Sequence, residues 1–393
     1  MLFTLPCRTD VLVDEFGLPR YWAAVWAMFH GGRLAPSTLH ERLRQIDKLY
    51  QHTERIGGIL DDALCELDFE VLSAALESYF IGLCNIPRPT KTAQTYWHTA
   101  FDFVRDTCER IERNPAVGNR MADIRERMGR LDRLYLGLRP FRKRLGAQLR
   151  AIPRMVVLEM LDAVTPGSPT NPFKQTATQW RAYSLVTLLL FQGVRRGEML
   201  SLRADFLKSE RDPRTGAMRW RMSVRTNEAE DDTRKSLPSI KTAQSIRTIP
   251  VTPQTAEGLL VYSENYRGKV DHPYFLSSMR DLPLSLEGVS KLLQKLSTAL
   301  SPAARVELLD LTEAKYLTAH ALRHTCAVVR MKQLLANGQT TEQAMAQLRS
   351  FFGWSKTSVM PLHYAKAALD ERLNETWNDK LDDRLELFRN LPR

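Results

Sequence analysis

His320-Ala321-Leu322-Arg323-His324-Thr325 and, forty residues further on, Pro361-Leu362-His363-Tyr364 are the stretches whose reading decides this chain. Between them stands Phe351-Phe352-Gly353-Trp354-Ser355-Lys356. Together they bring one phenol to an imidazole and a guanidinium, a set suited to attacking a phosphodiester and steadying the charge that builds on it. Upstream, Arg195 follows Gly193-Val194, and Lys241 opens Lys241-Thr242-Ala243-Gln244-Ser245-Ile246-Arg247-Thr248-Ile249-Pro250.

Working outward, the His320 box lies on a helix expected from Thr318 to Ala336, followed by another from Thr341 to Phe352. Further helices are read from about Gln175 to Phe191, from Leu286 to Leu300 and from Met155 onward, with a short one beginning at Arg195-Arg196-Gly197-Glu198. Strand-like alternation occurs in the middle only, in Met218 to Val224 and Ser245 to Val251, with a turn at Thr242-Ala243-Gln244 that sets Lys241 at a hairpin tip. From Tyr21 to Arg113 the apolar residues recur at helical spacing, as in Leu39, Leu43, Ile46, Leu49 and Tyr50, with Ser37 or Thr38 as the expected cap. The first 140 or so residues therefore read as a small all-helical domain. A boundary near Gly146 to Pro153 gives domains of 1–150 and 151–375, with a tail at 376–393.

At 393 residues the chain fits two domains. Its net charge of +11 favours a polyanionic partner. Clustering sharpens this: from Arg120 to Arg154 eleven cations face three carboxylates, a local +8. Five scattered cysteines form no CxxC, which suits neither a zinc ribbon nor a disulfide framework and fits a reduced cytoplasm. The longest apolar run, Leu185 to Phe191, is too short to span a bilayer, so no membrane role is expected.

Taken singly, each chemical residue has a plainer account. Arg195 reads as a surface arginine at a helix start, Lys241 as a turn lysine with Lys235 as a competitor, and Trp354 and Tyr364 as core. His320 and His324, at i and i+4, lack the glutamate and third ligand of a zinc pair. In order and spacing, however, the set resembles the tyrosine recombinase (phage integrase) family. That family carries a Gly-Leu-Arg-x-x-Glu box, a hairpin lysine, a His-x-Leu-Arg-His box, a Leu-Gly-His/Trp position and a tyrosine about ten residues on. All five elements are present between Pro153 and Ala368, with Trp354 where histidine is commoner.

The resemblance implies a mainly α fold with a small antiparallel β-sheet, built as a helical core-binding domain plus an α+β catalytic domain that clamps duplex DNA. It implies Tyr364 as nucleophile, Arg195 and Arg323 as phosphate clamps, Lys241 as general acid, His320 as an aid to proton transfer, and Trp354 as a donor or brace. Glu198 reads as an orienting partner for Arg195. Two arginines suit the five-coordinate phosphorus because each is a planar, permanently charged fork. The expected DNA contacts are Arg139, Arg142, Lys143, Arg144 and Arg247. The reaction implied is site-specific cleavage and rejoining through a 3′-phosphotyrosyl link, for integration or transposition of a mobile element. It needs no metal and no cofactor. The resemblance implies double-stranded DNA as the partner, with four protomers on two sites; the tail at 376–393 reads either as a helix packed on its own domain or, as the resemblance favours, as one docked on a neighbouring protomer. A type IB topoisomerase-like relaxing enzyme and a non-cutting DNA-binding module are the alternatives.

Overall fold

The computed structural model describes residues 2–4, 10–85, 91–112, 126, 129–130, 151–225, 232, 234, 238, 245–366 and 368–369. The chain divides into two compact units, Met1–Gly146 and Ala147–Arg393.

Among the described residues of the first unit, the helices α1 (Tyr21–Gly31), α2 (Pro36–Arg55), α3 (Leu60–Glu66), α4 (Phe69–Cys84) and α5 (Lys91–Glu112) pack around Trp26, Leu43, Ile46, Leu49, Leu72, Leu76, Phe103 and Val104. The three-to-four spacing of these residues gives each long helix one apolar face, and burying those faces holds the unit together. Neither Ser37 nor Thr38 caps α2. Pro36 occupies its first turn and Ala35 precedes it, since proline has no N–H to leave unsatisfied. Helix α1 also lacks a local cap. The Asp61 carboxylate of α3 accepts from its first amides, Tyr21 and Trp22, at 2.9 and 3.2 Å, and from the Tyr50 hydroxyl at 2.5 Å. The unit is not all helix. Strands β1 (Leu2–Thr4) and β2 (Asp10–Leu12) pair antiparallel with Leu2 opposite Leu12. Three-residue strands are too short for alternation to reveal them.

The second unit is built on α7 (Thr176–Leu190), whose Leu185, Val186, Leu188 and Leu189 are sealed from solvent on several faces at once. Around it lie α6 (Arg154–Val164), α8 (Arg196–Leu200), α9 (Pro253–Val261) running into a π-turn at Tyr262–Tyr266, α10 (Leu286–Ala299), α11 (Pro302–Thr312), α12 (Ala319–Ala336) and α13 (Thr341–Phe352). Residues 360–366 are again helical. Side-chain caps start most of the later helices: Ser285, Ser301, Thr318 and Thr340 each accept an amide of the first turn.

Strands β3 (Leu207–Arg211), β4 (Met218–Val224) and β5 (Arg247–Val251) form an antiparallel sheet in that order, with Met222 opposite Ile249. Met222, Val224, Ile249 and Val251 enter the core while Arg219, Arg221, Thr248 and Pro250 face out, the period of two that sequence shows. Pro250 is tolerated because β5 is an edge strand. Strand β3 escapes sequence reading because Lys208, Ser209, Glu210 and Arg211 are all exposed and carry no alternation. Among the described residues no helix is long and apolar enough to cross a membrane.

Candidate active site

Three chain turns meet in the second unit. Helix α7 ends at Gln192-Gly193, where Gly193 takes φ +58. A Cβ there would clash with the Phe352 ring edge at Cε1 and lie 2.9 Å from Cys326 Sγ, so only glycine fits both the backbone and the space. Helix α13 ends at Gly353, also left-handed at φ +61, which turns Trp354 back beneath the helix. Helix α12 runs past both ends and presents His320, Arg323 and His324.

The last carbonyls of α13 and those of the turn just past α7 have no partner within a helix. Arg323 supplies one. Its guanidinium donates to the Gly193 carbonyl and, at 2.9 Å, to the Phe352 carbonyl. Arg247 does the same from β5, donating to the Phe351 carbonyl at 2.8 Å and the Ser245 carbonyl at 2.7 Å. A cation at a helix C-terminus also meets the negative end of the macrodipole.

Glu198, in the first turn of α8 and 1 % exposed, ties the cations together. Its carboxylate accepts from the Arg195 amide at 2.9 Å, the Arg195 guanidinium at 2.5 Å and the Arg247 guanidinium at 2.9 Å, with Arg323 at 3.7 Å. Burial pushes its carboxyl up, but Arg247, Arg323 and Arg195 outweigh that and hold it below the usual range. Three guanidiniums against one carboxylate leave a local excess of two positive charges. Burial pulls Arg323 down to about 9 against the upward pull of Glu198, so it is still a cation at neutral pH. Arg195, 27 % exposed and donating also to Ser245 Oγ at 3.0 Å, is the cation of the three that reaches solvent.

Tyr364 lies beside this cluster, 1 % exposed. Its ring stacks on Trp354 at 5.3 Å and 14°, and Trp354 stacks on Phe352 at 4.7 Å and 11°, while Arg323 sits over both Phe352 and Trp354. The Tyr364 hydroxyl pairs with His324 Nδ1, and His324 Nε2 lies 2.5 Å from His320 Nε2. Burial raises the phenol well above its ordinary pKa despite Arg323 and Arg195. Burial, His320 and Arg323 lower His324 to about 4, so its imidazole is neutral at pH 7. Among the described residues no group of three His, Cys, Asp or Glu side chains is arranged to hold a metal ion.

Of the residues singled out in the sequence, Arg195, Arg323, Trp354, Tyr364 and, at one remove, His320 are brought together. Lys241, Arg139, Arg142, Lys143, Arg144 and the tail 376–393 lie outside the described residues. Arg247, expected to meet DNA, is instead interior: its side chain is 7 % exposed and its donors go to Glu198 and two carbonyls. His324, not among the expected site residues, is the partner of the tyrosine, and its position one turn from His320 puts both rings on one helical face.

Neither a protein-family profile nor a curated protein matches the sequence. Solved structures do match. The XerH site-specific recombinase bound to a palindromic difH substrate, in a post-cleavage complex, superposes with a TM-score of 0.50 at 12 % identity, covering 91 % of this chain and 94 % of that one. The chain has the fold of the tyrosine recombinases. The Tn1549 transposon integrase in complex with circular intermediate DNA gives a TM-score of 0.49 at 15 % identity, covering 90 % and 98 %. A lambda integrase dimer bound to a COC' core site gives 0.44 at 15 %, covering 88 % and 95 %.

Proposed function

We propose that this chain is a tyrosine site-specific recombinase, which cuts and rejoins duplex DNA through Tyr364 in the integration or transposition of a mobile element. The observation that carries the reading is the placement of the Tyr364 hydroxyl beside a buried arginine cluster with more positive than negative charge. Such an excess suits an incoming phosphodiester, which would supply the missing anion.

In this mechanism the Tyr364 oxygen attacks phosphorus and the bond to the 5′ oxygen breaks. Arg195, the cation that reaches solvent, takes a non-bridging oxygen as the five-coordinate centre gains charge, and Arg323, buried with its donors on two carbonyls, adds its positive charge from behind. Their clamps are stiff because Glu198 and two helix ends fix them, so little reorganisation accompanies the reaction. Trp354 keeps the phenol ring flat against the core. Lys241 protonates the departing 5′ oxygen. Arg247 acts from inside, holding Glu198 and the end of α13. Cations of the 120–154 stretch, Arg139, Arg142, Lys143 and Arg144 among them, meet backbone phosphates, and protomers assemble as a tetramer on two sites. Rejoining by the free 5′ hydroxyl reverses the step and needs no external energy.

The test is trapping on nicked suicide duplexes tiled across the DNA flanking the gene, with wild type, Tyr364→Phe and Arg323→Ala compared on a denaturing gel. A covalent protein–DNA band in wild type alone is expected. Tight, specific binding with no band for any duplex would overturn the cutting reaction in favour of a non-cutting module. Relaxation of supercoiled plasmid lacking any specific site would favour the topoisomerase-like activity.

A further inference from the structure

We infer that His324, rather than His320, takes the proton from Tyr364, and that His320 passes that proton to solvent. This rests on the reading above, in which Tyr364 is the nucleophile.

The geometry orders the three groups. The phenol pairs with His324 Nδ1, and the other nitrogen of the same ring faces His320 Nε2 at 2.5 Å. A neutral imidazole has one donor and one acceptor nitrogen. If the phenol donates to Nδ1, the His324 proton sits on Nε2, where it donates to the acceptor Nε2 of His320. His320 in turn lies on the exposed side of α12. The titratable and charged groups around this line are Arg323, His320 and Cys326 on α12, Tyr364 from residues 360–366, and Arg195 at the head of α8.

The need for such a path follows from burial. A phenol shut away from water cannot lose its proton to bulk solvent, and its burial disfavours the charged form. The O–H electron pair stays on oxygen and becomes the new O–P bond. The proton moves to His324 Nδ1, the Nε2 proton of His324 moves to His320, and one proton leaves His320 for water. The P–O5′ electron pair departs with the 5′ oxygen, which is protonated separately by the general acid.

The experiment measures cleavage rate against pH on the duplex that traps wild type. His324→Gln is the deciding variant, because its carbonyl can accept the phenol hydrogen bond and hold the ring without being a base. A general base is worth roughly 10²–10⁴-fold. Accordingly His324→Gln and His324→Ala are expected to lose about that much near pH 7. Their rates should also rise about tenfold per pH unit where wild type is flat, as expected when the phenol must ionise unaided. Replacing Tyr364 by 3-fluorotyrosine, a more acidic phenol, is expected to recover part of the loss, which a misfolded protein would not allow. His320→Ala should lose less than either.

A 5′-bridging sulfur in the substrate removes the need for leaving-group protonation. It is expected to rescue Lys241→Ala and not His324→Gln. The inference is overturned if His324→Gln cleaves at the wild-type rate with a flat profile, if sulfur rescues it, or if His320→Ala is the more damaging change. Each of those outcomes leaves wild-type trapping intact, whereas absence of any wild-type adduct would overturn the reaction itself and the relay with it.

Discussion

Glu198→Gln probes the charge design of the site directly. The native carboxylate has two acceptor oxygens, and both are occupied, by the Arg195 amide and by the guanidiniums of Arg195 and Arg247. An amide offers one acceptor oxygen, so its NH₂ must face an N–H donor, and Arg195, Arg247 and Arg323 lose their counter-charge. Removing one member of a buried ion pair costs about 3–5 kcal/mol. Arg195 is partly exposed, yet Arg247 and Arg323 are not, so that range applies here.

The measurement is native-state hydrogen exchange of the slowest amides in α12, which reports on the second unit without contribution from the first. A loss of about 3–5 kcal/mol accelerates exchange by roughly two to nearly four powers of ten. The pH dependence has a definite sign. Glu198 has a depressed folded pKa, so its stabilisation is fully present above the ordinary carboxylate value of about 4.3. It is lost as pH falls through the lower folded value, and the gap between wild type and variant should close there. Titration of His324 is common to both proteins and cancels in the difference. Exchange in the variant within tenfold of wild type at pH 7 would refute the reasoning, for it would mean that the three arginines need no buried anion.

Gly193→Ala forces a left-handed alanine, costing roughly 1–2 kcal/mol, and drives a methyl into Phe352 and Cys326 for about 1–3 more. Urea unfolding should register the sum, and wild-type stability would refute the packing account. Arg247→Met keeps bulk but removes the donors to Glu198, Phe351 and Ser245. It should destabilise the second unit while leaving the slope of log affinity against log salt unchanged. A phosphate-contacting cation would lower that slope by about 0.9, so a drop of that size would place Arg247 on the DNA.

Much of the fold is legible in local pattern. Gln175 to Phe191 and Thr341 to Phe352 read as helices and are helices, because a continuous or periodic apolar face is a property of neighbouring residues. Met218 to Val224 alternates and is a strand for the same kind of reason. What pattern missed were segments with none: β3, polar along an exposed edge, and the β1–β2 pair, too short to alternate. The cap expected at Ser37 or Thr38 failed because proline took the first turn instead.

For the site, sequence by itself determined the residue types and their order, and hence which helix each side chain rides on. His320, Arg323 and His324 share α12 because 3.6 residues per turn puts them there. Only the tertiary structure decided who meets whom. It set His324 rather than His320 against Tyr364, turned Arg247 inward to Glu198, and gave Arg323 the carbonyls of two helix ends 130 and 29 residues away. Periodicity fixes a direction about a helix axis, whereas a hydrogen bond between distant segments depends on how closely those helices pack. Here Gly193 sets that closeness, because it is small enough to let the end of α7 reach Phe352 and Cys326.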